Sequence, residues 1–187
     1  ALGLNMRDQQ LAAMRSGDIV LVTFNALATD YTIENLTTDI DGYARFPEWS
    51  PDGEWIAFDL GEWRDNGEAN RSIYIMRADG SDKRKLINGV SPQWHPHQDI
   101  IYFTDWGNSR VIKAIDIQSG DVTNVVSVEN CPFATESLLA NFRLHPNELL
   151  AVFQLGHRTA LWSKATNTCS LLDTTYNPVW MEDGTIV

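Results

Sequence analysis

Apolar residues come in short runs along this chain, broken by Pro, Asp, Asn and Gly, and stretches such as Ile19-Val-Leu-Val and Trp55-Ile-Ala-Phe58 have the length of a strand. The pattern recurs. Pro47-Glu-Trp49-Ser-Pro-Asp-Gly-Glu-Trp-Ile-Ala-Phe58 returns as Pro92-Gln-Trp94-His-Pro-His-Gln-Asp-Ile-Ile-Tyr-Phe103, with nine residues from Trp to Phe in both. A weaker copy, Asn141-Phe-Arg-Leu144-His-Pro-Asn-Glu-Leu-Leu-Ala-Val-Phe153, keeps the proline and the nine-residue spacing. A fourth opens at Asn177-Pro-Val-Trp180-Met-Glu-Asp-Gly. Taking Trp49, Trp94, Leu144 and Trp180 as equivalent gives periods of 45, 50 and 36 residues.

Each unit repeats one grammar: a short strand, a Pro/Asp/Gly turn, an aliphatic-aromatic strand, a loop, a third strand, a polar turn and a last short strand. Ser50-Pro-Asp-Gly53 suits a tight hairpin turn, because proline fixes φ and glycine accepts positive φ. The third strands are read at Ser72–Met76, Arg110–Ile115 and Thr159–Ser163, closed by turns at Ala78–Ser81, Gln118–Asp121 and Thr166–Thr168. Four antiparallel strands in roughly 40–50 residues match one blade of a β-propeller, which is unstable alone and buries its faces against its neighbours. The recurrent Trp and Phe are expected in the core between blades.

The phrase Pro47-Glu-Trp-Ser-Pro-Asp-Gly53, followed by Ile56-Ala-Phe58, Ile73-Tyr-Ile-Met-Arg-Ala-Asp-Gly-Ser81 and Lys85-Leu86, resembles the TolB propeller repeat over one whole blade. The second copy is similar but carries His95-Pro-His97 in the turn, and the third keeps only the skeleton. The resemblance covers about residues 18–187. It implies an all-β propeller whose relatives mostly bind proteins, as TolB does in the bacterial envelope, or serve as accessory domains of prolyl oligopeptidase-type enzymes. A periplasmic or extracellular location follows from the resemblance alone.

The expected fold is a propeller of about four four-stranded antiparallel blades, at about 44–88, 89–127, 128–173, and one shared by 18–43 and 174–187. Residues 1–17, with Leu4, Leu11 and Met14 loosely at helical spacing, suggest a short helix. An aromatic nine residues after Trp180 would fall beyond Val187. The reading therefore leaves open a closed four-blade monomer, a fragment of a larger propeller, and two chains completing one ring.

Composition narrows the function more than it names it. The 187 residues are 43% hydrophobic, enough for a core, and no apolar run approaches the roughly 18 residues that cross a bilayer. Direct membrane insertion is not expected. A formal net charge of −11 argues against nucleic acid or an anionic membrane as partner, and the cationic cluster Lys83-Arg84-Lys85 reads as a solvated hairpin end. The chain begins at Ala1, which fits a removed leader or a longer natural protein. Two cysteines, Cys131 and Cys169, suit a disulfide in an oxidising compartment and equally two thiols in a reducing one.

Chemistry-bearing motifs are sparse. There is no Gly-x-Ser-x-Gly nucleophile elbow and no phosphate-cradling glycine signature. His95 and His145 occupy equivalent turn positions, where a two-histidine metal site with a carboxylate competes with simple turn capping; capping is preferred and no cofactor or metal is expected. Thr37-Thr-Asp39-Ile-Asp41-Gly42 with Glu48 approaches a calcium-loop pattern, but Arg45 and Pro47 break it and the segment reads as a blade connection. Glu48, Gln93, Arg143 and Val179 each precede a core position, so alternation along the strand turns them toward a central channel. Trp63, in the long acidic loop 59–70, is either a partner's anchor or folded back on its blade. Glu48, Gln93, Arg143 and Trp63 are the candidate binding residues, with no catalytic residue among them. The function expected is a non-enzymatic protein-binding or scaffold propeller. Its rival is the propeller portion of an enzyme, accessory to a hydrolase or carrying a channel-mouth metal site.

Overall fold

The structure is a computed structural model that describes residues 3–5, 9–61, 70–108, 111–131, 139–172, 180 and 186. It is all-β and antiparallel, and the chain divides into two compact units, Ala1–Trp94 and His95–Val187. Among the described residues no helix is long and apolar enough to cross a membrane.

In the first unit, β1 (Gly3–Asn5), β2 (Gln10–Arg15), β3 (Asp18–Phe24) and β4 (Tyr31–Asn35) form one sheet in chain order. The helix suggested for residues 1–17 is not formed. Gln10–Arg15 instead pairs with β3 along its whole length, from Gln10↔Thr23 to Arg15↔Asp18, and fully buries Ala12. The ladder and that burial override the helical preference of Gln, Leu, Ala and Met. β3 and β4 thus lie in a four-stranded sheet with β2 and β1.

β5 (Tyr43–Trp49), β6 (Trp55–Gly61), β7 (Arg71–Arg77) and the long β8 (Arg84–Trp94) follow, each antiparallel to the last. β5 lies close to the first sheet at Gly17, whose φ is +93° and where a Cβ would stand 2.7 Å from the Tyr43 ring. Only glycine fits there. Ile19, Leu21, Leu36, Ala44, Ile56, Phe58, Leu60 and Met76 form this unit's core, with Trp49 partly buried against it.

The second unit holds β9 (Ile100–Asp105), β10 (Val111–Asp116) and β11 (Val122–Ser127), then a 3-10 turn at Val128–Asn130. A complete sheet in chain order follows: β12 (Leu139–Leu144), β13 (Leu150–Leu155), β14 (Arg158–Ser163) and β15 (Thr168–Leu172). Its core centres on Phe142, whose ring lies 4.9 Å from Tyr102, 6.2 Å from Trp162 and 6.5 Å from Phe153. A disulfide joins Cys131, just past the 3-10 turn, to Cys169 on β15, with the Cα atoms 4.8 Å apart. Trp180 and Ile186 make an isolated antiparallel bridge.

The repeat positions meet different fates. Phe58, Phe103 and Phe153, each nine residues past the Trp position, are at most 1% exposed. Trp49 and Trp94, the last residues of β5 and β8, are only partly buried.

Candidate functional site

The sequence-expected residues cluster where each repeat's first strand enters its hairpin. Backbone geometry sets them there. Phe46, Ser91 and Asn141, each three residues before the repeat's Trp or Leu, all take positive φ, at 53°, 55° and 52°. The β5–β6 register slips between Arg45 and Glu48, and the β12–β13 register between Ala140 and Arg143. These are β-bulges, which re-aim the side chains that follow. None of the three residues is glycine, so composition gives no hint of them.

Just past positive-φ Phe46 and Ser91, Glu48 and Gln93 are 8% and 5% exposed and meet: Gln93 Nε2 donates to Glu48 Oε1 at 2.8 Å and to the Pro92 carbonyl at 2.6 Å. Trp94 Nε1 donates to the Glu48 carbonyl at 3.0 Å. The second unit repeats that last contact, with Trp180 Nε1 donating to the Arg143 carbonyl at 3.0 Å. Arg143 is half-buried on β12. Trp63 and Val179 lie outside the described residues.

The hairpin turns use their polar residues alike. Ser50 Oγ accepts the Trp55 amide at 2.9 Å. His95 Nδ1 accepts the His97 amide and His145 Nδ1 accepts the Asn147 amide, both at 3.0 Å. Histidine thus replaces serine as a turn cap. With Nδ1 an acceptor, the proton of neutral His95 sits on Nε2, 3.6 Å from Glu148 Oε1. Burial holds the His95 pKa below the usual imidazole range, against the opposing pull of Glu148. His97 Nε2 lies 3.2 Å from the Pro146 carbonyl, and the His145 ring stands edge-on to Trp180 at 4.5 Å.

Behind the first-unit bulge is a buried ionic cluster that sequence reading missed. Asp59 on β6 is fully buried, contacts Arg71 Nη2, lies 3.8 Å from Arg45 Nε, and accepts the Ser91 amide at 3.0 Å. Desolvation, then the like charge of Arg45, lowers the Arg71 pKa to about 10, which leaves it cationic at neutral pH. Its residues come from four strands, β5 to β8, so no linear motif marks it.

The calcium-like segment is otherwise engaged. Thr37 Oγ1 donates to Asp18 and accepts the Ile19 amide, while Asp39 pairs with Lys83 Nζ at 3.1 Å. Among the described residues no group of three His, Cys, Asp or Glu side chains is placed to hold a metal ion.

No family model matches the sequence, and neither does any curated protein. Solved structures do. TolB from Acinetobacter baumannii superposes with a TM-score of 0.72 at 18% identity over 98% of this chain and 46% of that one. A putative TolB from Agrobacterium tumefaciens gives 0.69 at 18% identity, over 95% and 63%. The fold is TolB-like. A third similar structure is an oligogalacturonate lyase in complex with manganese, with a TM-score of 0.67 at 11% identity, over 98% and 56%. The chain spans about half the length of these structures, and identities this low speak for the fold alone.

Proposed function

We propose that this TolB-like propeller is a non-enzymatic module that binds a protein partner, in the periplasm or outside the cell. The observation that carries the reading is the employment of its titratable groups: His95 and His145 cap turns, Glu48 receives Gln93, and Asp59 is held by two arginines and an amide. Groups committed this way stiffen a scaffold and are poorly placed to exchange protons with a substrate. The likeness to TolB and the Cys131–Cys169 bridge, of a kind that persists in oxidising compartments, support the location.

In this reading Arg143 faces the partner and Trp63 anchors it, while the buried Glu48–Gln93 pair stiffens the strands behind them. The test is affinity capture from an envelope extract, comparing the unaltered chain with Trp63→Ala and Arg143→Glu variants of unchanged melting temperature. A protein retained near one-to-one by the unaltered chain and lost with either variant is expected. Identical capture by all three would reject these residues as the binding surface. The rival reading, a propeller portion of an enzyme, draws on the fold shared with the lyase. In its metal-site form it requires a bound metal or a turnover that depends on His95 or His145; as the accessory domain of a hydrolase it requires neither.

A further inference from the structure

A pocket of about 300 Å³ opens in the second unit between β9–β11 and the sheet of β12–β15. Ile100, Tyr102, Val125, Leu144 and Trp162 make its apolar wall, and the volume falls at the small end of ligand-binding cavities. Two aromatic walls are held rigid. Tyr102 is 8% exposed and packs between the His95 ring at 6.0 Å and the Phe142 ring at 4.9 Å. Trp162 is 6% exposed, and its Nε1 donates to Asn167 Oδ1 at 3.0 Å, which fixes the indole plane.

Polar groups are few and placed at the edge. The Tyr102 hydroxyl makes no hydrogen bond among the described residues, and burial, then the negative charge of Glu148, pushes its pKa up to about 12, so it stays protonated and able to donate. Asn124 lines the pocket from the exposed strand β11. Lys164 is the one charged lining residue; its backbone is tied by its amide to the Leu149 carbonyl at 2.9 Å, and its ammonium has no salt bridge among the described residues. A chain of net charge −11 repels anions in general, so a lone cation over an apolar cavity is a selective feature.

We infer that this pocket binds a small monocarboxylate with an apolar or aromatic body: the body lies between Tyr102 and Trp162, and the carboxylate faces Lys164 and accepts from the Tyr102 hydroxyl. The apolar walls supply burial, and the ammonium of exposed Lys164 supplies the preference for an anion. A neutral ligand of the same shape would leave Lys164 unused.

Isothermal titration with 4-phenylbutyrate, and with 4-phenyl-1-butanol as its uncharged counterpart, tests this on the full chain. Saturable one-to-one binding of the carboxylate at roughly millimolar concentration is expected, with the alcohol weaker by about tenfold. Lys164→Gln should erase that difference and leave alcohol binding unchanged. Asn124→Trp, at an exposed position, should fill the pocket and abolish both without lowering the melting temperature. No saturable binding of 4-phenylbutyrate, or a Lys164→Gln protein that binds it as tightly as the unaltered chain, would overturn the inference.

Discussion

Breaking the Cys131–Cys169 bridge should destabilise the second unit by an amount set by the loop it closes. The cysteines are 38 residues apart. In the chain-entropy description, such a link removes about 13 cal/mol/K from the unfolded ensemble, or roughly 4 kcal/mol at 25 °C. For a chain of this size that corresponds to a fall in melting temperature of about 8–16 °C. Cys131 is 1% exposed and Cys169 packs against the same core, so alanine at both sites adds only a small burial loss. The assay is thermal and guanidinium unfolding of the oxidised protein, the reduced protein, and the Cys131→Ala/Cys169→Ala double variant, with thiols counted by alkylation and mass spectrometry. The reasoning fails if protein with two alkylatable thiols unfolds within about 1 kcal/mol of the oxidised form. It also fails if two thiols are found before any reductant is added.

Three further outcomes are expected. Phe142→Ala, at the ring cluster of the second unit, should cost about 3–5 kcal/mol in guanidinium unfolding, and a loss under 1 kcal/mol would contradict its central place. Asp59→Asn should cost about 3–5 kcal/mol, because buried Arg71 loses its counter-charge, and a neutral effect would show that Arg71 reaches water. His95 has a depressed folded pKa, so its neutral form supports the fold above the unfolded value of about 6.5, and that support is lost as pH falls below it. His95→Asn, which keeps an acceptor for the His97 amide, should flatten this acid limb between about pH 6.5 and 5; an unchanged limb would contradict this role for His95.

The propeller repeat was legible because a Trp-to-Phe spacing of nine fixes two strands of one hairpin, and the Ser50–Gly53 turn joins them with residues suited to little else. The turn role of His95 and His145 could be read from their equivalence to Ser50. What escaped the sequence has physical reasons. β2 is built from Gln, Leu, Ala and Met, whose local preference is helical, and only its ladder with β3 makes it a strand. The positive-φ positions Phe46, Ser91 and Asn141 carry no glycine to announce them. Asp59, Arg45 and Arg71 each stand on a different strand, so their meeting leaves no linear signature. The Cys131–Cys169 pairing depends on the 3-10 turn bringing the chain beside β15, which spacing alone does not encode.

The claim that the histidines and carboxylates of the hairpin turns serve structure while the propeller serves binding is tested most directly by metal content. Elemental analysis of the purified chain, after dialysis against equimolar zinc and manganese, should find well under a tenth of an equivalent of either metal, unchanged by His145→Ala. Close to one equivalent, lost in His95→Asn or His145→Ala, would mean that these imidazoles are ligands and that the chain carries a catalytic or metal-binding centre instead.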